Sequence, residues 1–332
     1  MNKKITIAQI GLGNWGKNLF KNFSLLSDCQ MKYGCDLDPE IIEAYTRDYP
    51  QARFTNNYEQ VLADPAVEAI VVATPAPAHF KLAKMALEKG KHVFVEKPIT
   101  LDVGHADELV NLAKKVNKKL MVGHLLLYQP AITRLKKIVQ NGDLGNVYYL
   151  YTQRLNLGKV RNTENAMWSL APHDISVVLH LLGKSPVSVS ALGAAYVQND
   201  IEDVVFISIR FDSGEIANVH VSWLDPTKTR KTIVVGSKKM AVFDEVNDNT
   251  LSLFDRGADH QSNGKVNLRS GNAEIVKDIA KEAPLKLECQ HFIDCITKNQ
   301  EPLSNGQNGL EVLKVLAAAD RSLKNGGKNE LL

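Results

Sequence analysis

Hydrophobic and polar positions follow two different rhythms along this chain of 332 residues. In the first part, short uninterrupted apolar runs such as Val67 to Ala73 alternate with segments whose apolar residues recur at helical spacing. An uninterrupted apolar run is typical of a strand covered on both faces of a sheet. Strands that alternate with helices in this way predict a doubly wound parallel sheet over roughly the first 120 residues.

From residue 124 onward, the pattern changes to alternation with a period of two, which predicts strands with one buried face. Turn residues such as Asp212-Ser213-Gly214 separate these strands and indicate antiparallel hairpins. The predicted strands cover residues 147–154, 187–196, 204–211, 216–223 and 232–235, and the predicted helices cover residues 130–140, 172–182, 285–298 and 308–324. Residues 255–273 are rich in Gly, Asn and Ser, and we expect a mobile loop there.

Composition narrows the class of protein without identifying it. The chain is 44% hydrophobic and 23% charged, as soluble globular proteins are. A net charge of +3 is too small to favour nucleic acid or an anionic membrane as a partner. No apolar run reaches the length of a membrane span and the amino terminus lacks a cleavage site, so we expect a cytoplasmic protein. The four cysteines show neither metal-ligand nor redox spacing, which predicts buried thiols and no metal.

Three glycines follow the first predicted strand directly. Gly11, Gly13 and Gly16 form the pattern G-x-G-x-x-G and lead into a helix, which is the context that a dinucleotide fingerprint requires. The first glycine allows a tight turn, the second admits the pyrophosphate, and the third lets helix and strand pack closely. Asn14 and Trp15, which lie inside this turn, join the glycines in the candidate cofactor site.

An acidic residue ends the second predicted strand at the distance that this fingerprint predicts. Asp36 lies twenty positions after Gly16. Its carboxylate would accept hydrogen bonds from ribose hydroxyls and repel a 2′-phosphate, so NAD is favoured over NADP. Asp38 is an alternative that lies further into the turn.

The fold class predicted from these patterns is α/β plus α+β. Residues 1–123 are predicted to form a Rossmann domain with a doubly wound parallel sheet. Residues 124–332 are predicted to form an open antiparallel sheet with helices on one face, for substrate binding and oligomerisation. Because the other face of that sheet needs cover, we expect a homodimer or homotetramer that associates through it.

Two predicted strand ends carry further candidates for the cofactor site. The sequence KHVFVEKP presents Glu96 and Lys97 at the carboxyl end of a strand, where ligands bind in an open parallel sheet. The preceding strand ends in the turn Thr74-Pro75, and His79 follows it. Glu96 either orients Lys97 or the cofactor ribose, or only fixes the strand end.

Taken together, these motifs resemble a known family. GLGNWG, ATPAPAH, KHVFVEKP, the helical His173 and a tail from PLKLECQHFIDCI to AAADRSL are similar to the glucose-fructose oxidoreductase and inositol dehydrogenase (Gfo/Idh/MocA) family. The resemblance implies an NAD-dependent oxidoreductase of sugars or cyclitols, with Lys97 beside the nicotinamide and the reacting hydroxyl. The segment RLNLGKVRNTENAMWSLAPHDIS resembles a subgroup that oxidises the 3-hydroxyl of UDP-N-acetylglucosamine or its uronic acid, for surface polysaccharide or lipid A precursors.

The oxidation of an alcohol needs a base and a group that stabilises the developing alkoxide. We expect His173 to be the base, because Pro172 is predicted to open a helix whose dipole would keep the imidazole neutral. Lys97 would hydrogen-bond the same oxygen, although a lysine with a lowered pKa is itself an alternative base. Many family members carry an aspartate four residues before the histidine, where this chain has Ser169. Asp174 would point about 100° away on a helix and cannot be assumed to replace it.

Several other side chains are candidate substrate contacts, because a diphosphate is recognised by guanidinium groups and a ring by aromatic faces. Besides Lys97 and His173, these candidates are Tyr128, Arg154, Arg161, Asn165, Trp168 and Arg230. Two alternative functions remain at this point. One is a dehydrogenase of a free sugar or cyclitol, and the other is a non-catalytic NAD-binding sensor.

Overall fold

The structure is a computed structural model that describes residues 4–332, and the chain divides into two compact units. The first unit takes in the chain up to Tyr128 and also Glu282–Leu313. The second unit consists of Gln129–Lys281 and Lys314–Leu332. None of the helices within residues 4–332 is long and apolar enough to cross a membrane.

The first unit contains a parallel sheet of six strands in the order β3-β2-β1-β4-β5-β6. The strands are β1 (Ile5–Ile10), β2 (Cys29–Cys35), β3 (Arg53–Thr55), β4 (Ala69–Val72), β5 (His92–Val95) and β6 (Leu120–Val122). The helices between them are α1 (Gly16–Ser24), α2 (Pro39–Asp48), α3 (Tyr58–Ala63), α4 (His79–Glu88) and α5 (Val103–Lys115), with short 3-10 turns at Ala76–Ala78 and Leu125–Tyr128. This is the predicted doubly wound Rossmann order, in which the strand order reverses between β1 and β4.

Local sequence explains where these elements begin and why the sheet is buried. Asp38 accepts a hydrogen bond from the amide of Glu40 and starts α2, and Asp102 does the same for His105 at the start of α5. Every residue of β4 is buried, as its apolar run predicts. All four cysteines are buried free thiols, which confirms their predicted state.

The second unit contains a nine-stranded sheet in the order β14-β13-β12-β11-β7-β10-β9-β8-β15. The strands are β7 (Val147–Leu155), β8 (Pro186–Ala194), β9 (Val204–Phe211), β10 (Ile216–Ser222), β11 (Thr229–Gly236), β12 (Met240–Asp244), β13 (Thr250–His260), β14 (Val266–Ile275) and β15 (Glu330–Leu331). Helices α6 (Pro130–Gln140) and α7 (Ala166–Leu182) pack on one face. The predicted architecture is confirmed, but β7 and β10 pair in parallel, because strands distant in sequence meet at the sheet centre.

The predicted mobile loop at residues 255–273 is wrong. These residues lie in the β13–β14 hairpin, with Arg256 opposite Ser270 and His260 opposite Val266. Most of their side chains are exposed, so the hairpin lacks the alternation of apolar and polar residues that identifies a half-buried strand. Backbone pairing forms the ladder here, and Arg269 adds ion pairs with Asp255 and Asp259 across the hairpin, neither of which composition reveals.

The remaining helices show how the two units divide the carboxyl-terminal part of the chain. They are α8 (Pro284–Thr297) and α9 (Gly306–Lys324). We expected all of residues 124–332 in the second domain, whereas the structure assigns α8 and the start of α9 to the first unit. The cause is an aromatic cluster, in which the Phe292 ring centroid lies 5.7 Å from that of Phe94 and 6.3 Å from that of Phe23.

Candidate active site

The glycine turn after β1 has the geometry that a dinucleotide requires. Gly11 has a φ of +91°, and a Cβ there would lie 2.6 Å from the carbonyl oxygen of Ala73. A Cβ on Gly16 would lie 2.2 Å from the carbonyl oxygen of Gly11. At Gly13, by contrast, a Cβ would meet nothing within 4 Å. The turn is therefore closed on the side of the sheet and open where a phosphate group would approach.

The sequence reasoning missed Gln9, which holds this turn from inside the protein. Its fully buried side chain donates from Nε2 to the carbonyl oxygens of Gly11, at 2.8 Å, and Gly16, at 2.7 Å. Gln9 is the only side chain able to form hydrogen bonds in the last four residues of β1, IAQI, and that was the available signal. The Oε1 atom of Gln9 is buried without a hydrogen-bond partner among residues 4–332, so the Nε2 bonds are the ones that fix the side chain.

The residues around the turn fit a bound NAD. No side chain caps the start of α1 at Trp15, and the amides of Lys17 and Asn18 donate to the carbonyl oxygens of Gly13 and Trp15. The positive end of the helix dipole therefore faces the place that the pyrophosphate would occupy. The Thr74 hydroxyl is buried at the end of β4 and has no hydrogen-bond partner among residues 4–332. Asn14 and Pro75 are exposed beside these groups, and their contact with the cofactor remains a prediction.

Of the two candidate acids, Asp36 faces the glycine turn. Its carboxylate accepts hydrogen bonds from the amide of Leu12, at 2.7 Å, and from that of Asp38, at 3.1 Å. Asp38 instead uses its side chain to cap α2. Asp36 therefore remains the residue that we expect to bind the adenosine ribose.

Glu96 is a buried carboxyl group that holds an aromatic side chain of the glycine turn. Its Oε1 accepts a hydrogen bond of 2.6 Å from the indole N–H of Trp15, and its Oε2 accepts one of 3.2 Å from the amide of Lys97. Burial raises the pKa of Glu96 to about 7, against the opposing effect of Trp15 and Lys97. A proton on Glu96 is therefore exchangeable in the neutral pH range.

Lys97 is half-buried after the last residue of β5 and lies close to two buried histidines. The Nδ1 atom of His124 lies 2.7 Å from the side-chain oxygen of Asn308. Burial is the main cause that lowers the pKa of His124 to about 4, and the charge of Lys97 acts in the same direction. The pKa of His79 is lowered chiefly by burial as well. Both imidazoles are thus neutral at neutral pH, and sequence reasoning had assigned no role to His124.

The structure changes the role of His79. Its Nδ1 and Nε2 each lie 2.8 Å from a backbone carbonyl oxygen, of Pro98 and Thr74 respectively. Because a neutral imidazole carries a single N–H, the ring donates to one of these two carbonyl oxygens and lies between the turns that follow β4 and β5. We no longer propose a direct cofactor contact for His79, because both ring nitrogens face the backbone.

A second buried carboxyl group in the first unit has no counterpart in the sequence reasoning. Glu288, on α8, is fully buried, and neither carboxyl oxygen has a hydrogen-bond partner among residues 4–332. Burial, followed by repulsion from Glu96, raises its pKa well above the ordinary value. Burial therefore favours the protonated form of Glu288.

In the second unit, α7 begins earlier than the sequence suggested. Asn165 caps the helix by accepting a hydrogen bond from the amide of Trp168 at 3.0 Å, so Pro172 lies inside the helix rather than at its start. His173 is therefore beyond the first turn, where the helix dipole acts. The dipole argument for a neutral His173 is wrong, although the residue remains half-buried and stays our candidate base.

Asp174 does not replace the missing aspartate, because its carboxylate is bound to Arg154. Arg154 Nε donates to Asp174 Oδ2 at 2.6 Å, and both residues are buried. Arg154 also lies 3.8 Å from the carboxylate of Glu245. A guanidinium group held in this way is not available to bind a diphosphate, which corrects our expectation for Arg154.

The other expected substrate contacts are also largely engaged within their own units. Arg230 donates to the carbonyl oxygens of Leu155 and Thr229 and to the side-chain oxygen of Asn156. Arg161 forms an exposed ion pair of 2.9 Å with Glu164. Arg161 is the expected arginine contact that remains exposed, and its role stays a prediction.

Both expected aromatic contacts donate hydrogen bonds within the protein. The indole N–H of Trp168 donates to Asp320 at 3.3 Å, which leaves part of the ring exposed. Tyr128 is buried with its hydroxyl 2.9 Å from that of Ser304, so we no longer propose it as a substrate contact.

No group of three or more His, Cys, Asp or Glu side chains in the described part of the chain is arranged to hold a metal ion.

Two family profiles match the chain. One, described as an oxidoreductase family with an NAD-binding Rossmann fold, matches residues 5–124. The other, the GFO/IDH/MocA C-terminal domain, matches residues 132–242. Together they cover the sheets of both units except the end of β12, the β13–β14 hairpin and the short β15.

The individual relatives include enzymes named for two kinds of substrate. The chain is 31% identical over 248 residues to UDP-N-acetylglucosamine 3-dehydrogenase of Acidithiobacillus ferrooxidans, and the aligned region covers 74% of this chain and 76% of that protein. It is 25% identical over 341 residues to scyllo-inositol 2-dehydrogenase (NAD(+)) of Bacillus subtilis, covering 98% of this chain and 96% of the relative. A solved structure of the Acidithiobacillus enzyme superposes with a TM-score of 0.85 at 27% identity, covering 97% of this chain and 98% of that one.

Proposed function

This chain belongs to the GFO/IDH/MocA oxidoreductase family, and we propose that it uses NAD to oxidise the 3-hydroxyl of a UDP-N-acetylhexosamine or its uronic acid. Membership makes it an NAD-binding sugar oxidoreductase. The choice of a UDP-sugar is supported by the resemblance to UDP-N-acetylglucosamine 3-dehydrogenase in both sequence and fold.

One observation carries the proposal that this chain is catalytic. Lys97 follows a strand of the nucleotide-binding sheet, and the adjacent buried Glu96 binds the indole of Trp15 from the glycine turn. This arrangement links the candidate cofactor turn to the candidate catalytic lysine through a single carboxyl group. A protein that only sensed NAD would not need a lysine at this strand end.

In the proposed reaction the chain handles the proton and the developing charge. When bound, NAD supplies the acceptor for the hydride that leaves the carbinol carbon. The family resemblance assigns acceptance of the hydroxyl proton to His173 and stabilisation of the developing negative charge to Lys97. Because Asp174 is bound to Arg154, no neighbouring aspartate is assigned to orient the imidazole.

A second candidate, oxidation of a free sugar or cyclitol, is favoured by the arginines. Arg154 and Arg230 were expected to grip a diphosphate, yet their donors are engaged by protein oxygens. A substrate without phosphates needs no such grip. The relative that acts on scyllo-inositol covers nearly the whole chain and supports the same alternative.

The two candidates are separated by incubating the protein anaerobically with NAD and a panel of UDP-sugars, free sugars and inositols, and following NADH absorbance. We expect reduction with a UDP-N-acetylhexosamine or its uronate. Reduction with inositol or glucose, and none with any UDP-sugar, would establish the second candidate instead. Lys97→Met is expected to abolish turnover and preserve NAD binding, whereas Lys89→Met, an exposed lysine after α4, serves as the matched control.

The uncovered face of the second sheet supports the proposed homodimer or homotetramer. Phe206 on β9 and Leu192 on β8 are 53% and 62% exposed, and Tyr149 on β7 is 42% exposed. Exposed large apolar side chains on one sheet face are typical of an association surface. Sedimentation velocity with the wild type and Phe206→Asp tests this proposal, since loss of the assembly in the variant is expected.

A further inference from the structure

The β13–β14 hairpin continues past the strand beside it, and we call its outer part, residues 258–268, the arm. Strand β12 pairs only with residues 250–254 of β13. The base of the arm is tied to the sheet by Arg269, which donates to two carbonyl oxygens in the turn between β11 and β12. Within the arm the two strands pair with each other, as Ala258 does with Leu268. Because an isolated two-stranded ribbon is only marginally stable in water, we expect the arm to pack against another surface.

The arm has one apolar face and one polar face. Leu268 and Val266 lie on the same side of β14, since they are two residues apart, and they are 73% and 55% exposed. Asn267 lies between them and faces the opposite side, where Asp259 is its cross-strand partner. An exposed apolar face on one side of a projecting element is typical of a surface that contacts another protein.

The apolar face of the arm continues the uncovered face of the second sheet. The cross-strand register runs from Tyr149 on β7 through β11 and β12 to Phe254 on β13, so both rings lie on that face. The register shift after Phe254 adds a residue to β14 and none to β13, so the alternation along β13 is kept. Ala258, four residues further on, is therefore on the same face, together with its partner Leu268.

A second apolar patch lies at the other end of the same face. Phe206 on β9 and Leu192 on β8 are cross-strand partners, and both are more than half exposed. The register from Phe206 through β10 to Gln153 on β7 places this patch on the face of Tyr149. Strands β9 and β14 are six strand spacings apart, which corresponds to about 29 Å. The arm therefore does not reach this patch within its own chain.

We infer that two copies of this chain pack face to face about a two-fold axis along β7, so that the arm of each copy covers the Phe206–Leu192 patch of the other. Strand β7 is the middle strand of the nine. A two-fold rotation about it therefore lays the hairpin of one copy over the β8–β9 end of the other, and the symmetry forms this contact twice. Leu268 and Val266 then leave water for an apolar surface. This inference rests on the assembly proposed above and does not depend on the reaction.

Two neighbouring residues on opposite faces of the arm provide the first test. Leu268→Asp places a charge on the apolar face and is expected to raise the dissociation constant of the assembly at least about ten-fold in sedimentation velocity. Asn267→Asp introduces the same side chain on the polar face and is expected to leave the dissociation constant unchanged. Both positions are exposed, so both variants are expected to fold, and circular dichroism checks this.

A thiol crosslink tests which surfaces meet. The four native cysteines are buried, so an introduced surface cysteine reacts selectively with a short bismaleimide. After exchange of subunits, a mixture of Leu268→Cys and Leu192→Cys is expected to give a covalent dimer, whereas each variant alone is expected to give none. A mixture of Asn267→Cys and Leu192→Cys is the matched control and is expected to remain uncrosslinked.

The outcomes separate this inference from the proposals on which it rests. Crosslinking of Leu268→Cys with itself and not with Leu192→Cys would overturn the axis along β7. An assembly that is weakened by Phe206→Asp and not by Leu268→Asp would overturn the role of the arm and keep the association surface. A wild type that stays monomeric at every concentration would overturn both the inference and the proposed assembly, while NADH formation tests the reaction independently.

Discussion

The protonation of Glu96 offers a direct test of the site, because Trp15 reports it. Glu96 has a pKa raised from 4.5 to about 7, and its carboxyl group accepts the indole proton of Trp15. In protein labelled with ¹⁵N-tryptophan, the Trp15 indole N–H signal is expected to titrate with a midpoint of about 7. Trp15→Phe identifies the signal among those of the three tryptophans, and Glu96→Gln is expected to abolish its titration.

The same shift predicts a pH-dependent stability. In the folded protein Glu96 keeps its proton to a higher pH than in the unfolded chain, so its stabilising contribution is complete below pH 4.5 and is lost as the pH rises towards 7. A shift from 4.5 to about 7 corresponds to about 3 kcal/mol. The free energy of unfolding of Glu96→Gln, relative to wild type, is therefore expected to rise by about 3 kcal/mol between pH 4.5 and pH 8.

Urea unfolding of wild type, Glu96→Gln and the surface control Glu274→Gln at both pH values measures this difference. Because repulsion from Glu96 helps to raise the pKa of Glu288, the measured difference includes the change in Glu288 that Glu96→Gln causes. A Trp15 signal that titrates near pH 4.5, together with a stability difference that is the same at both pH values, would show that Glu96 is an ordinary ionised carboxylate and refute the reasoning.

Three further changes test other parts of the structure. Glu288→Met is expected to raise the free energy of unfolding at pH 8 by about 2 kcal/mol, and by less at pH 5, because the raised pKa of Glu288 makes its contribution weaken as the pH rises. Arg154→Met leaves Asp174 buried without its partner and is expected to destabilise the protein by about 3 kcal/mol in urea, with much of the loss recovered in Arg154→Met/Asp174→Leu. Asp36→Ala is expected to raise the KM for NAD about ten-fold and to reduce discrimination against NADP.

Each of these expectations has a specific contrary result. Equal stability of wild type and Glu288→Met at pH 8 would mean that burial of this carboxyl group does not destabilise the folded protein. A double variant as unstable as Arg154→Met would show that packing, rather than an uncompensated charge, explains the loss. An unchanged KM for NAD in Asp36→Ala would remove this residue from the cofactor site, with Asp38→Ala as the matched comparison.

The first unit was the more predictable from sequence because its signals are local. The glycine turn and the buried strands depend on residues that are adjacent in the chain, and each was recognised correctly. The spacing from Gly16 favoured Asp36 over Asp38, and the structure agrees, since the carboxylate of Asp36 reaches the amide of Leu12 whereas that of Asp38 caps α2. Gln9 was visible as a polar residue in an apolar run, but its partners were not.

In the second unit, the predictions that proved wrong concern features that depend on contacts between residues distant in the chain. Pro172 is a strong signal for a helix start, yet the capping hydrogen bond of Asn165 places the start six residues earlier. Arg154 carries a guanidinium group, which is able to bind anions, and only the fold brings the carboxylate of Asp174 to it. Charge in a sequence indicates what a side chain is able to bind, whereas the fold determines whether it is already bound.

The aromatic cluster of Phe23, Phe94 and Phe292 has a consequence for the order of synthesis. Phe23 and Phe94 are synthesised early, but Phe292 belongs to a helix that begins at Pro284, after the main part of the second unit. A nascent chain that ends near residue 123 has all six strands of the first sheet and still exposes the surface that Phe292 covers. The nucleotide-binding unit is therefore completed only after most of the chain has left the ribosome, and a fragment ending at residue 123 is expected to aggregate rather than bind NAD.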